Sequence, residues 1–508
     1  MRHCSLILRL TAVLTVWLVA QATAGAQPPQ TLPQPPPRQA AAPVQAATHV
    51  SRTDLATAYL RFEMIYARAR LDEAETKRVN QAFDNLTLAF FRSNNSLAVK
   101  QLDALTASLT PGPSEAPIAA LAPYRARLVP PVFVAGRGTL DVSFDRLYES
   151  DQEADWAGVT LRLQPAGSGK PIDLPVTRSP DAGAPVISPA AAKKAAARLK
   201  PGRYLVGLAR GAEVMYGGTW SVVSRPLYVR QTANAKRLAL LSPSSPALVQ
   251  AAASTTARNA LLTPSPDSGN TTQMLFDPET LAADVEAEIA ALERGENPFL
   301  NRAGDFWRIV KTSTRDVPVR VYLPPSARKA SPLPLLVAFH GAGGDENMFM
   351  EAYGAGLIKR LADERGLLVV SPLTSASVGT ANASTFGEFL DGLALDYPID
   401  RARIYLVGHS MGGTAVGLLA GLLPDQIARA ACLNGFNGFV EGATKVPPVL
   451  VIASELDRIA MPSRIEAAVE RVKATGLPVE YRLLKNHGHT LAVTRLLPEV
   501  VDWLLTGR

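Results

Sequence analysis

The sequence predicts an α/β fold for residues 304–508: a mostly parallel sheet with covering helices, preceded by a small helical module and a β-sandwich-like module. Three observations lead there. The runs 335–339, 367–370, 404–407 and 449–453 are apolar without alternation, the pattern of strands buried on both faces of a parallel sheet. Helix-like stretches near 351–365, 411–423 and 462–475 fall between or after them, where crossovers belong. Glycine-rich motifs follow two of the runs directly, at the strand ends where α/β proteins place their chemistry.

The remaining length divides by composition. At 508 residues the chain has room for about three domains. Residues 1–26 read as a secretory signal peptide: Arg2 and Arg9 precede a short apolar run, and small residues follow at Ala22, Ala24 and Ala26. The run is shorter than the roughly 20 residues that a membrane span needs, so no stable span is expected after cleavage, and a secreted or periplasmic location is. Residues 27–48 form a Pro-rich linker that cannot bury a core. With Cys4 in the leader, Cys432 is left as a single thiol, which excludes a disulfide framework.

Residues 49–121 turn helical. Leu55, Tyr59, Phe62 and Tyr66 recur at three- and four-residue steps after a capping pair, Ser51 and Asp54; Val79, Phe83, Leu86 and Phe90 repeat the pattern. No titratable constellation stands out, so a structural or partner-binding role is expected, with a glycan or protein as the partner. Residues 122–231 are β-rich, with short alternating runs at 139–144, 159–163, 203–208 and 219–229. Tyr204 and Trp220 read there as core aromatics rather than a ligand surface. Residues 232–303 form a helical connector whose clearest helix opens with Asp277-Pro278, a cap followed by proline at the first helical position. The net charge of +7 is scattered, and the densest cluster, Lys193, Lys194, Arg198 and Lys200, reads as a solvated helix face. Nucleic-acid binding is not expected.

The chemistry sits at the strand ends of 304–508. Gly408-His409-Ser410-Met411-Gly412 follows the run 404–407 and precedes a Gly/Ala/Leu helix. A serine hydroxyl becomes a useful nucleophile only when exposed beside a base, and a tight strand-to-helix turn between glycines provides that exposure. His340-Gly341-Ala342-Gly343-Gly344 follows 335–339; its backbone N–H groups, with that of Met411, suit an oxyanion hole. Ala342 is the first choice of donor and Gly341 the alternative. No Lys-Ser/Thr follows these glycines, which argues against a phosphate loop. Elimination among six histidines leaves His487 and His489 as the base. His340 belongs to the oxyanion loop, and His409 is expected to point away from the cleft. Asp457 follows 449–453 and is the candidate acid, with Glu455 as the nearby alternative; Asp425 reads as a surface residue. No His/Cys/Asp/Glu spacing suggests a metal site, and no cofactor is expected.

Taken together, these motifs resemble the α/β-hydrolase superfamily, in the chain order Ser410, Asp457, His489. The run from Val317 through His340-Gly341-Ala342-Gly343-Gly344 is similar to secreted esterases of the polyhydroxybutyrate-depolymerase and feruloyl-esterase type. Gly488-His489-Thr490 resembles the glycine-histidine turn that carries the base in those enzymes and in prolyl-oligopeptidase-like hydrolases, which favours His489 over His487. The resemblance implies a secreted serine hydrolase that cleaves small or polymeric carboxylic esters through an acyl-enzyme. Two rivals remain: a prolyl-oligopeptidase-like serine peptidase, and a non-catalytic envelope or glycan-binding protein with a decayed hydrolase domain. Met348, Phe349 and Met350, with the loop 374–385, are candidate pocket residues, and a simple packing role for those apolar residues is an equal alternative.

Overall fold

Helix formation begins where Ser51 caps α1 (Arg52–Tyr66): its Oγ accepts the Asp54 N–H while the Asp54 carboxylate accepts the Ser51 N–H, the reciprocal box expected from the sequence. Asp72 and Glu75 repeat the device at α2 (Glu73–Phe91), and Asn94 caps α3 (Asn95–Leu109). The computed structural model describes residues 50–110, 119–179, 183–263, 271–329, 332–375 and 383–507. The expected leader, the Pro-rich linker and most of the candidate loop 374–385 lie outside them. Phe62, Val79, Phe83, Val99 and Leu102 pack between the three helices, and Leu491 from the far end of the chain joins the same core.

The β-rich stretch forms β1 (Tyr124–Leu128), β2 (Val132–Val134), β3 (Val142–Arg146), β4 (Val159–Pro165), β5 (Ile172–Arg178), β6 (Pro185–Ile187), α4 (Pro189–Ala196), β7 (Gly202–Arg210) and β8 (Glu213–Val223). Instead of two comparable sheets, it holds a six-stranded sheet, β2-β8-β7-β4-β5-β6, and a two-stranded ribbon, β1-β3. Ribbon, α4 and sheet share one core, in which Tyr204 and Trp220 are buried cross-strand partners. The run expected to extend to Val229 ends at Val223. Pro226 then starts α5 (Leu227–Leu238), because proline cannot donate to the ladder but can stand at a helix start.

Helices α6 (Pro246–Ala260) and α7 (Pro278–Glu293) complete the connector. They are joined to the C-terminal sheet by buried polar contacts: Arg258 pairs with Glu288 and donates to the Trp307 carbonyl, and Ser254 Oγ donates to the Ile309 carbonyl.

The C-terminal sheet has eight strands: β9 (Gly304–Lys311), β10 (Asp316–Leu323), β11 (Leu333–Phe339), β12 (Leu368–Pro372), β13 (Ile399–His409), β14 (Arg429–Leu433), β15 (Val449–Ser454) and β16 (Glu480–Leu484). Their order is β16-β15-β14-β13-β11-β12-β10-β9, parallel except that β10 runs antiparallel to both neighbours. All seven residues of β11 are buried, as its unbroken apolar run predicts. One face carries α9 (Ala383–Ala394), α10 (Met411–Leu422) and α11 (Pro462–Lys473). The other carries α8 (Leu357–Arg365) and α12 (Ala492–Thr506). Two crossing rules explain the arrangement: right-handed parallel connections, and a sheet covered on both sides. The α/β class is borne out. Strand β14 had no counterpart in the sequence reading, because Ala430-Ala431-Cys432 carries no β-branched signal. The helix expected near 351–365 begins with a separate π-helical turn, Met348–Ala352, before α8. Phe349 and Met350 are buried core rather than pocket.

The described residues belong to one compact unit, so the amino-terminal helices share it with the sheet. No helix among the described residues is long and apolar enough to cross a membrane.

Candidate active site

Ser410 stands between β13 and α10 with φ 56° and ψ −119°, a conformation that side-chain-bearing residues seldom adopt. Such backbone strain costs on the order of 1–3 kcal/mol and persists only where the surroundings enforce it. Here the Ser410 N–H donates to the Leu433 carbonyl at 2.8 Å. A Cβ on Gly408 would lie 2.1 Å from the Gly412 carbonyl oxygen, and one on Gly412 would lie 2.0 Å from that of Phe339. Only glycine fits at either position, which is the physical content of the motif.

At the ends of β15 and β16, Asp457 Oδ2 accepts from His489 Nδ1 at 2.7 Å, with both side chains buried. Asp457 Oδ1 accepts the N–H groups of Ile459 and Ala460, each at 2.8 Å, which fixes the carboxylate. A proton held on Nδ1 leaves the Nε2 lone pair available. The alternatives are not brought together. Glu455 is exposed and accepts the Asn486 N–H, and His487 Nδ1 turns to the Lys485 carbonyl. Asp425 is an exposed partner of Lys445.

Ser410, His489, Gly341 and Ala342 line one cavity of about 150 Å³. Ser410 Oγ and His489 make no direct hydrogen bond, and both line the cavity. A Cβ on Gly341 would sit 3.2 Å from Ser410 Cβ, so this loop passes directly over the serine. The Met411 side chain is 37% exposed and does not line the cavity; its backbone N–H is the first of α10, where no intrahelical acceptor exists.

His409 does not point away, as the sequence suggested. It is buried, with Nε2 3.0 Å from the His489 carbonyl and Nδ1 2.8 Å from the Tyr353 hydroxyl. A carbonyl only accepts, so Nε2 carries the proton and Nδ1 accepts from Tyr353. Burial, followed by the neighbouring His489, holds the His409 pKa well below its ordinary value and keeps this neutral form. The His489 carbonyl also accepts from Asn434 Nδ2 at 2.7 Å. Burial lowers the pKa of His340 as well, and its Nε2 accepts the Thr374 N–H.

The amino-terminal helices, expected to carry no chemistry, close the other side. Asn80 Oδ1 accepts the Gly488 N–H at 3.0 Å, and Asp84 Oδ1 accepts the His489 N–H at 2.9 Å. A Cβ on Gly488 would meet the Asp84 carboxylate at 2.6 Å. Arg52 Nη2 donates to the Gly343 carbonyl at 2.8 Å. From α1, Glu63 accepts from Tyr59, Thr494 and the Gly354 N–H. Burial raises Glu63 to about 7, against those hydrogen bonds, and raises Asp84 to about 6, against the His489 N–H. The available sequence signal was the Asn80/Asp84 pair, four residues apart beside the Val79/Phe83 stripe. Among the described residues no group of three His, Cys, Asp or Glu is placed to hold a metal ion.

No family model matches the chain. A bifunctional acetylxylan esterase/xylanase from Neocallimastix patriciarum is 31% identical over 133 residues, 25% of this chain and 19% of that protein. The dihydrolipoyllysine-residue acetyltransferase component of the acetoin cleaving system of Pseudomonas putida is 28% identical over 168 residues, 28% of this chain and 44% of that protein. The chain thus spans less than half the length of either curated relative. Among solved structures, the S-formylglutathione hydrolase FrmB from Staphylococcus aureus is 18% identical, with a TM-score of 0.34, covering 41% of this chain and 99% of that one. A thermostable esterase is 20% identical, with a TM-score of 0.35, covering 40% and 62%.

Proposed function

We propose that the chain is a secreted serine hydrolase that cleaves carboxylic esters through an acyl-enzyme. The observation that carries the reading is His489, hydrogen-bonded to Asp457, lining the same cavity as a serine held at positive φ. Ser410 Oγ attacks the acyl carbonyl as His489 Nε2 takes its proton, and Asp457 stabilises the imidazolium. The Ala342 and Met411 N–H groups hold the oxyanion; each such donor lowers the barrier by about 3 kcal/mol. Collapse expels the alcohol, which leaves with the proton from His489. Water, deprotonated by His489, then releases the acid and restores Ser410. The ester chemistry in the name of the acetylxylan esterase relative supports the same class.

The test is labelling with a fluorophosphonate, followed by turnover of esters and peptide anilides. Labelling is expected in the wild type and lost in Ser410→Ala, with esters cleaved and anilides not. Retained labelling in the variant removes Ser410 from its role; fast anilide cleavage with negligible ester turnover makes the protein a peptidase.

A further inference from the structure

Resting on the ester-hydrolase reading, we propose that the helices α1 and α2 build the substrate pocket, and that it takes one benzene-sized apolar group, aryl or short alkyl, of the ester. Much of the cavity over Ser410 is walled by residues far from it in sequence: Leu55, Tyr59 and Leu60 from α1, and Phe83, Leu86 and Phe90 from α2. The polar groups that share the lining are engaged elsewhere. Arg52 holds the Gly343 carbonyl, Asn347 bonds with Asp345 and Thr271, Glu351 pairs with Arg320, and the Tyr59 hydroxyl donates to Glu63. What faces a ligand is therefore mostly hydrocarbon.

The size limits the ligand. An apolar cavity of about 150 Å³ stays dry and accepts benzene. The cavity here has that volume and opens onto the nucleophile. One ring or about four to six carbons fill it, and a second ring would project beyond its open side.

The wall is also fixed in place. Phe90 packs so tightly on the oxyanion loop that a Cβ on Gly343 would lie 2.4 Å from its ring. Asp84 and Asn80, on the same helix, hold the base loop. Pocket and catalytic loops are thereby set by one helix, and selectivity should follow substitutions in α1 and α2.

Either half of the ester can carry the apolar group, and the test separates the two. The full chain is assayed on ethyl acetate as reference, ethyl phenylacetate for the acyl side and benzyl acetate for the alcohol side. One aromatic ester is expected to exceed the reference in kcat/KM by about tenfold or more. Ala56 lines the cavity; Ala56→Leu is expected to cut that ratio about tenfold. Leu60→Ala, which enlarges the cavity, should move the preference to naphthyl esters, and it covers the case in which Ala56→Leu fails to fold. Aromatic preference in neither ester, or ratios unchanged in folded variants, overturns the pocket. A parallel arm measures the rate of Ser410 modification by benzyl against methyl fluorophosphonate, which needs no ester turnover. A benzyl preference lost in Ala56→Leu, with no ester cleaved, sustains the pocket while the esterase reading fails. Ester cleavage without any benzyl or aromatic preference does the reverse. No modification of Ser410 at all overturns both.

Discussion

Asp84, on the second helix of the amino-terminal module, accepts the backbone N–H of His489 at 2.9 Å across 405 residues of sequence. His489 therefore donates hydrogen bonds to two carboxylates, to Asp457 from its ring and to Asp84 from its backbone. The second is a positioning contact, since it touches no reacting atom. Removing it leaves a buried N–H without a partner, which costs about 1–3 kcal/mol. Asp84→Ala is expected to lower kcat about tenfold, while KM for a small ester changes less. Asp84→Asn keeps an acceptor and should restore most of the rate. A wild-type rate in Asp84→Ala, or no recovery in Asp84→Asn, would refute the role.

The same junction predicts a pH-dependent stability. Glu63 is raised to about 7 and Asp84 to about 6 by burial. In the unfolded chain both ionise near pH 4, so above that the folded state holds protons the unfolded state has released. Stability from these groups is full below about pH 4 and is lost as pH rises towards 7, by up to about 3 kcal/mol for a two-unit shift. His409 and His340, whose proton affinity burial lowers, act with the opposite sign below about 6.5, so each acid is isolated by comparing the wild type with its amide. Between pH 4.5 and 7.5, urea denaturation should show the stability of Glu63→Gln rising with pH relative to that of the wild type. Parallel profiles would contradict it.

His487 and His489 differ by two positions and by everything around them. His489 is tied through its ring, N–H and carbonyl; the His487 ring meets the Lys485 carbonyl, and its backbone carbonyl accepts the Leu456 N–H. His489→Asn should lower kcat by about 10⁴-fold or more, the scale for losing a triad base. His487→Asn should stay within about threefold of the wild type, as expected of a surface change. The reverse ranking would reassign the base.

Far from the cavity, Arg308 and Asp396 form a pair with no exposure on either side chain, and Asn297 donates to the same carboxylate at 2.6 Å. Breaking a buried pair by removing one partner typically costs about 3–5 kcal/mol, because the other charge is left unpaired. Asp396→Ala should lose stability on that scale in chemical denaturation, with fluorophosphonate labelling per folded molecule retained. A loss below about 1 kcal/mol would place the pair with exposed ones.

The strand–turn–helix motif around Ser410, the glycine loop at Gly341 and Ala342, and the buried runs of the sheet were legible from the chain alone. Each is a local pattern: unbroken apolar residues imply a strand covered on both faces, and glycines mark where backbones nearly touch. Strand β14 escaped because alanine and cysteine carry little β signal, and pairing on both sides creates it.

Which residues surround the reaction was decided by packing. On α1 a single apolar stripe supplies Phe62 to the helical core and Leu55 and Tyr59 to the cavity, and periodicity reads all three as core. Apolar spacing reports that a face is covered; it carries no record of whether side chains or a ligand cover it. Asp84, Asn80, Asn434 and His409 likewise looked like unremarkable polar residues until the fold brought their hydrogen bonds onto the His489 loop. The candidate nucleophile, acids and bases were written locally, because their chemistry depends on residue type and the turn that presents it. The choice among them, and the pocket above them, depended on contacts between distant segments, which exist only once the chain has buried its core.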